Sequence, residues 1–77
     1  MNLLKALDVA YGLLKSNNIS SYKIDSELLL SDSLNISKEE LILNLKKKIT
    51  IESYNKFLLK IKRRRANEPI AYILNKK

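Results

Sequence analysis

The sequence predicts an all-α fold, a small bundle of about five short helices. Three observations predict it. Apolar residues recur every three or four positions over most of the chain. Each recurring stretch is bounded by residues that start or stop helices. No segment alternates apolar and polar residues over several positions, as a half-buried strand does.

From Asn2 to Ser16, Leu3, Leu7, Ala10 and Leu14 recur at spacings of 4, 3 and 4, with Leu4 and Tyr11 one step aside, so they share one face of a first helix. Ser16, Asn17 and Asn18 end it, because Asn tolerates the left-handed conformation that closes a last turn. Ser20 or Ser21 caps a second helix, Tyr22 to Leu34, with Asp25 and Glu27 in its first turns where the helix dipole favours anions. Its leucines point in several directions, which predicts a central place in the bundle. Asn35 stops it. Ser37 and Glu40 form the capping box S-x-x-E that opens a third, short helix through Leu41, Ile42 and Leu45, followed by Lys46, Lys47 and Lys48.

Thr50 caps a fourth helix whose Ile51, Tyr54, Phe57, Leu58 and Ile61 fall within a stripe about 120° wide. Its opposite face carries Lys56, Lys60 and Arg63. Asn67 stands where a left-handed terminator belongs, and Pro69 is preorganised for the first position of a fifth helix through Ile70, Ala71, Tyr72, Ile73 and Leu74. Ile70, Ile73 and Leu74 would have little cover unless they fold back on the bundle, so continuation of the chain past Lys77 is expected, as is mobility of Asn75 to Lys77.

Composition narrows the chemistry. Seventy-seven residues make one domain, and 45% hydrophobic residues supply one modest core. Burial barely exceeds conformational entropy at this length, so a few kcal/mol of stability is expected. With no Cys, no His and a single Gly, the chain lacks the usual ligands of zinc and haem, thiol nucleophiles, His-based acid–base groups and a phosphate-cradling Gly-rich loop. Asp25 and Glu27, two apart on a helix, point about 200° from each other and cannot flank one bond. No catalytic, metal or cofactor residue is expected, and no membrane span or signal segment; the protein reads as a cytoplasmic monomer. The net charge of +7 suits an acidic partner, although a chain rich in Ile, Lys and Asn also reflects AT-rich codons.

Helical counting places Arg65 at the centre of the fourth helix's apolar stripe and Glu27 among the apolar directions of the second. A buried charge needs a partner. An internal clamp between Arg65 and Glu27 is therefore expected, or failing that with Asp25 or Glu68. The alternative is that Arg65 bends outward and faces the negative end of the helix dipole.

The stretch Arg63-Arg64-Arg65-Ala66-Asn67-Glu68-Pro69-Ile70-Ala71-Tyr72-Ile73-Leu74 resembles the segment R-R-x-x-G-E-P-(I/V)-A-Y-(I/L)-x-G of the peptide-chain release factor glutamine methyltransferases, the HemK or PrmC family. Asp25-Ser26-Glu27-Leu28-Leu29-Leu30 is similar to that family's D-A-E-L-L-L helix. The resemblance implies that residues 1–77 are the helical N-terminal domain of such an enzyme, with a Rossmann-like S-adenosylmethionine-dependent domain following Lys77. It implies methylation of the glutamine in the Gly-Gly-Gln motif of bacterial release factors, with the helical domain helping to bind the release factor. It makes Arg65, Glu68 and Pro69 mark the hinge region, with Glu27 a structural residue through the clamp expected above. Asn67 and Asn75 depart from the family's Gly, a change that Asn tolerates. The family's Asn-Pro-Pro-Tyr motif, which grips the glutamine, is absent, because Pro69 is the only proline. These 77 residues are thus expected to bind no cofactor and to have no activity alone.

The expected partner is a bacterial release factor, met by Lys56, Lys60, Arg63 and Arg64 on the exposed side of the basic helix. Two other readings stand beside it. One is a small basic nucleic-acid-binding domain, using Lys46 to Lys48 and Lys60 to Arg65. The other is a helical interaction module that dimerises through Leu29, Ile73 and Leu74.

Overall fold

The five helices of the computed structural model, which describes residues 1–74, are α1 (Leu3–Ser16), α2 (Tyr22–Leu34), α3 (Lys38–Leu43), α4 (Ile51–Arg65) and α5 (Ile70–Ile73). Local chemistry sets most of their ends. The side chains of Asn2, Ser37 and Thr50 accept hydrogen bonds from the backbone N–H of Lys5, Glu40 and Ser53, satisfying donors that a first turn otherwise leaves unpaired. Asn18, Asn35 and Asn67 take up positive φ, 62°, 57° and 68°, where the chain turns out of α1, α2 and α4. Pro69 is the residue before α5 rather than its first residue, with ψ 137°.

The third helix stops two residues earlier than the sequence pattern predicts. The carbonyls of Leu45 and Lys47 accept from the N–H groups of Leu4 and Leu3, and Ile49 N–H donates to the Met1 carbonyl. The connection from α3 to α4 thus leaves the helix to cover two orphan donors of α1, and Asn2 pairs with Lys48 in an isolated antiparallel bridge. There is no strand among the described residues.

Helices α1, α2 and α4 pack against one another, α3 packs on α2, and α5 on α4. Leu3, Ala6, Leu7, Ala10 and Leu14 of α1 meet Leu29 and Leu30 of α2 and Phe57 and Ile61 of α4 in one core, closed by Ile19, Leu41 and Ile73. Ile73 is 3% exposed, and Ile70 and Leu74 pack beside it. The fifth helix therefore folds back on the bundle, and the sequence-based expectation that its apolar residues lack cover is corrected. So is the dimerisation surface: Leu29 and Ile73 are buried and Leu74 is half-buried. The expectations for Asn75 to Lys77 lie outside the described residues. No helix among those described is long and apolar enough to cross a membrane.

The second helix buries serines. Ser26, Ser31 and Ser33 lie inside with Leu29 and Leu30, while Ile24 is exposed. Small side chains let neighbouring helices approach. Ser31 and Ser33 hydroxyls donate to the carbonyls four residues back, Glu27 and Leu29, at 2.7 and 2.8 Å.

Candidate functional site

Two polar clusters and one apolar surface stand out from this frame. The first cluster surrounds Glu27, which flanks the buried side of α2. The Tyr11 hydroxyl donates to its Oε2 at 3.0 Å, and Lys38 Nζ lies 3.6 Å from its Oε1. Glu27 therefore ties α1 and α3 to α2. Burial, reinforced by the hydrogen bond to this carboxylate, pushes the Tyr11 hydroxyl up to about 12. The Tyr11 and Tyr22 rings meet edge to face at 5.9 Å, with Lys15 Nζ 5.8 Å from the Tyr22 centroid.

The second cluster joins the end of α4 to the start of α2. Arg64 Nε donates to Asp25 Oδ2 at 2.8 Å, Ser21 Oγ donates to the same oxygen at 2.8 Å, and Arg64 Nη1 reaches the Glu68 carbonyl at 3.1 Å. Arg63 and Glu68 face each other fork to fork: Nε donates to Oε1 at 3.0 Å and Nη2 to Oε2. That pair holds the Glu68 carboxyl below its ordinary value and raises Arg63 further. Asn17 Nδ2 donates to the Arg65 carbonyl at 3.2 Å, bringing the end of α1 onto the same turn.

An internal clamp exists, then, but its members are Arg64 and Asp25 rather than Arg65 and Glu27. Phe57 and Ile61 are the fully buried residues of α4. Arg64, seven residues after Phe57, points in nearly the same direction, and Arg65 is turned about 100° from it. The apolar stripe read from sequence weighs half-buried Tyr54 and Leu58 and exposed Ile51 equally with Phe57 and Ile61. The two fully buried residues alone point about 40° from Arg64 and about 60° from Arg65, and Arg65 is exposed and has no ion pair among the described residues. On α2 the residue facing inward is Asp25, 5% exposed.

The four cations proposed from sequence to meet a partner are thereby divided. Lys60 lies 2.6 Å from Asp32 of α2, Arg63 holds Glu68, and Arg64 holds Asp25. Lys56 alone of the four is exposed without an ion pair among the described residues. The Lys60–Asp32 and Arg64–Asp25 pairs cross-link antiparallel helices, a role that helical periodicity does not reveal because it depends on how both helices are rotated.

The apolar surface went unread in the sequence. Of three consecutive apolar residues on α3 only Leu41 is buried; Ile42 is 47% and Leu43 83% exposed. They line two adjoining shallow hollows, one shared with Lys38 and Glu39, the other with Leu45, Lys46 and Lys47. A signal was present: a six-residue helix packed on one neighbour buries one side of an uninterrupted apolar run.

The model of the PrmC N-terminal domain matches residues 5–74. The chain belongs to that family. It is also similar, at 32% identity over 76 residues, to the release factor glutamine methyltransferase of Leptospira interrogans serogroup Icterohaemorrhagiae serovar Lai (strain 56601). The match covers 99% of this chain and 27% of that relative, so the chain spans about a quarter of the relative's length. No solved structure matches. In this PrmC N-terminal domain the two segments that carry the resemblance, 25–30 and 63–74, meet in space, since Asp25 of the first holds Arg64 of the second.

Proposed function

We propose that these residues form the substrate-recognition domain of an S-adenosylmethionine-dependent methyltransferase that modifies the Gly-Gly-Gln glutamine of bacterial release factors in the cytoplasm, during translation termination. The observation that carries this reading is the family match over residues 5–74, together with the similarity to the release factor glutamine methyltransferase of Leptospira. The domain docks the release factor, and a catalytic domain outside these residues performs the transfer. Docking of this kind accelerates a reaction by replacing random encounter with an oriented complex.

The residues present do not fit the cofactor themselves. The one glycine, Gly12, lies within α1 with open space around it, not in a loop between a strand and a helix. Glu68 and Pro69 belong to the braced turn between α4 and α5, which fits a hinge held in one orientation by Arg63 and Arg64. Arg65 and Glu27 contribute to the frame from its edges, through the Asn17 contact and the Tyr11 and Lys38 contacts.

The test is an amide-resolved NMR titration of the labelled chain, with a bacterial release factor in one series and bulk RNA in the other, at about 150 mM salt to screen weak surface contacts. Saturable, localised shifts with the release factor alone are expected. Shifts with RNA and none with the release factor would favour the nucleic-acid reading.

A further inference from the structure

The geometry points to the α3 face, Ile42 and Leu43 with the lysine loop beside them, as the surface on which the domain receives its protein partner; the partner segment is one that presents an apolar side chain among carboxylates. This rests on the docking role proposed above and names the surface, which family membership does not.

Three features of the face support it. Ile42 and Leu43 are adjacent, exposed and continuous with the hollows on either side, so they form a patch rather than scattered surface residues. Lys46 and Lys47 line one hollow, Lys48 follows them, and among the described residues none of the three has an ion pair. The loop that carries them is held in place, because Lys47 and Leu45 carbonyls accept from Leu3 and Leu4 and Ile49 donates to Met1. A loop already held by these backbone hydrogen bonds does not have to be ordered again when a partner binds.

Charge selects the occupant. A second copy of the chain would bring its own lysines against these, a like-charge contact that disfavours self-pairing. A flat anionic membrane would press its headgroups on Glu39, at the rim of the first hollow, and on exposed Glu40 as well as on the lysines. A single peptide segment can set its carboxylates on the Lys46–Lys48 side alone. RNA would gain from the lysines but would leave Leu43 without an apolar partner, and the face carries no aromatic residue on which a base could stack. A protein segment with a leucine or phenylalanine over Ile42 and Leu43 and its acidic residues toward Lys46–Lys48 satisfies both the patch and its basic rim.

The experiment uses the labelled 77-residue chain and a bacterial release factor, with Leu43→Glu and the double variant Lys46→Glu/Lys47→Glu compared against Lys62→Glu on the outer face of α4. Leu43 is exposed, so its replacement is expected to leave the amide spectrum folded. Release-factor shifts concentrated at 38–48, with affinity reduced about tenfold or more by Leu43→Glu, several-fold by the double variant and not by Lys62→Glu, support the proposal. Binding that maps to α4 and ignores Leu43→Glu overturns the surface while leaving the docking role intact. No binding anywhere overturns both. A concentration-dependent dimer abolished by Leu43→Glu, or shifts at 42–48 with RNA or phosphatidylserine-containing vesicles but not with the release factor, also overturns it.

Discussion

Two polar side chains in the interior have opposite energetic signs. Ser26 Oγ is buried and has no hydrogen-bond partner, unlike the hydroxyls of Ser31 and Ser33. Folding strips it of water without compensation. Ser26→Ala, which restores the alanine of the D-A-E-L-L-L pattern, is expected to raise stability by about 1 kcal/mol, seen as a higher urea midpoint at unchanged slope. Arg64 is the reverse case, because its removal leaves the buried Asp25 carboxylate with only the Ser21 hydroxyl. Losing a fully buried partner costs about 3–5 kcal/mol, and the 20% exposure of the Arg64 side chain lowers this to about 2 kcal/mol for Arg64→Ala. Arg65→Ala should stay within about 0.5 kcal/mol. Equal losses for the two variants in urea denaturation would contradict the assignment of the clamp. The sequence identified a charge on the inner side of α4 but not which one, since one residue on a helix is about 100° of rotation. An apolar residue read from sequence also does not say whether it is fully buried, as Phe57 and Ile61 are, or only half-buried, as Tyr54 and Leu58 are.

Element boundaries were legible because they are written in local chemistry. Ser37, Thr50, Asn35 and Asn67 act within a turn of where they stand, so spacing alone predicts them. Helix rotation is not local. The second helix buries Ser26, Ser31 and Ser33 and exposes Ile24, an inversion of hydrophobic order that only the close approach of α1 and α4 explains. The end of α3 was missed for the same reason: it is set by the unpaired N–H groups of Leu3 and Leu4, more than 40 positions away in the chain. Within α1, by contrast, one position is free of tertiary demands. Gly12 lies in the helix interior, and a Cβ there would meet nothing within 4 Å. Gly12→Ala is therefore expected to add about 0.5–1 kcal/mol by restricting the unfolded chain and favouring the helix, read as a higher melting temperature. A loss of stability would show that something packs on that face.

At the scale of the molecule, the proposed docking role fits the way the bundle is built. The buried apolar residues among those described form one core, and the hollows around α3 and the loop to α4 are open to solvent, lined by α3, that loop, the start of α1, the end of α2 and the start of α4. Cofactor sites are usually enclosed and bury most of their ligand. Among the described residues the bundle has neither a strand end nor a Gly-rich turn, and the polar clusters at Glu27 and Asp25 are satisfied by their own protein partners. What it does offer is a braced frame, with Asp25, Arg64 and Glu68 fixing the last turn and the α1 N-terminus fixing the lysine loop. A frame of this kind can orient a partner without touching the reacting atoms. Equilibrium dialysis of the 77-residue chain against labelled S-adenosylmethionine is therefore expected to show no saturable uptake up to about 1 mM, while the same sample unfolds cooperatively on heating. Saturable micromolar binding would place cofactor recognition inside this bundle and would overturn the proposed division of labour between the two domains. Cooperative unfolding with no uptake would leave docking as the function its surface must explain.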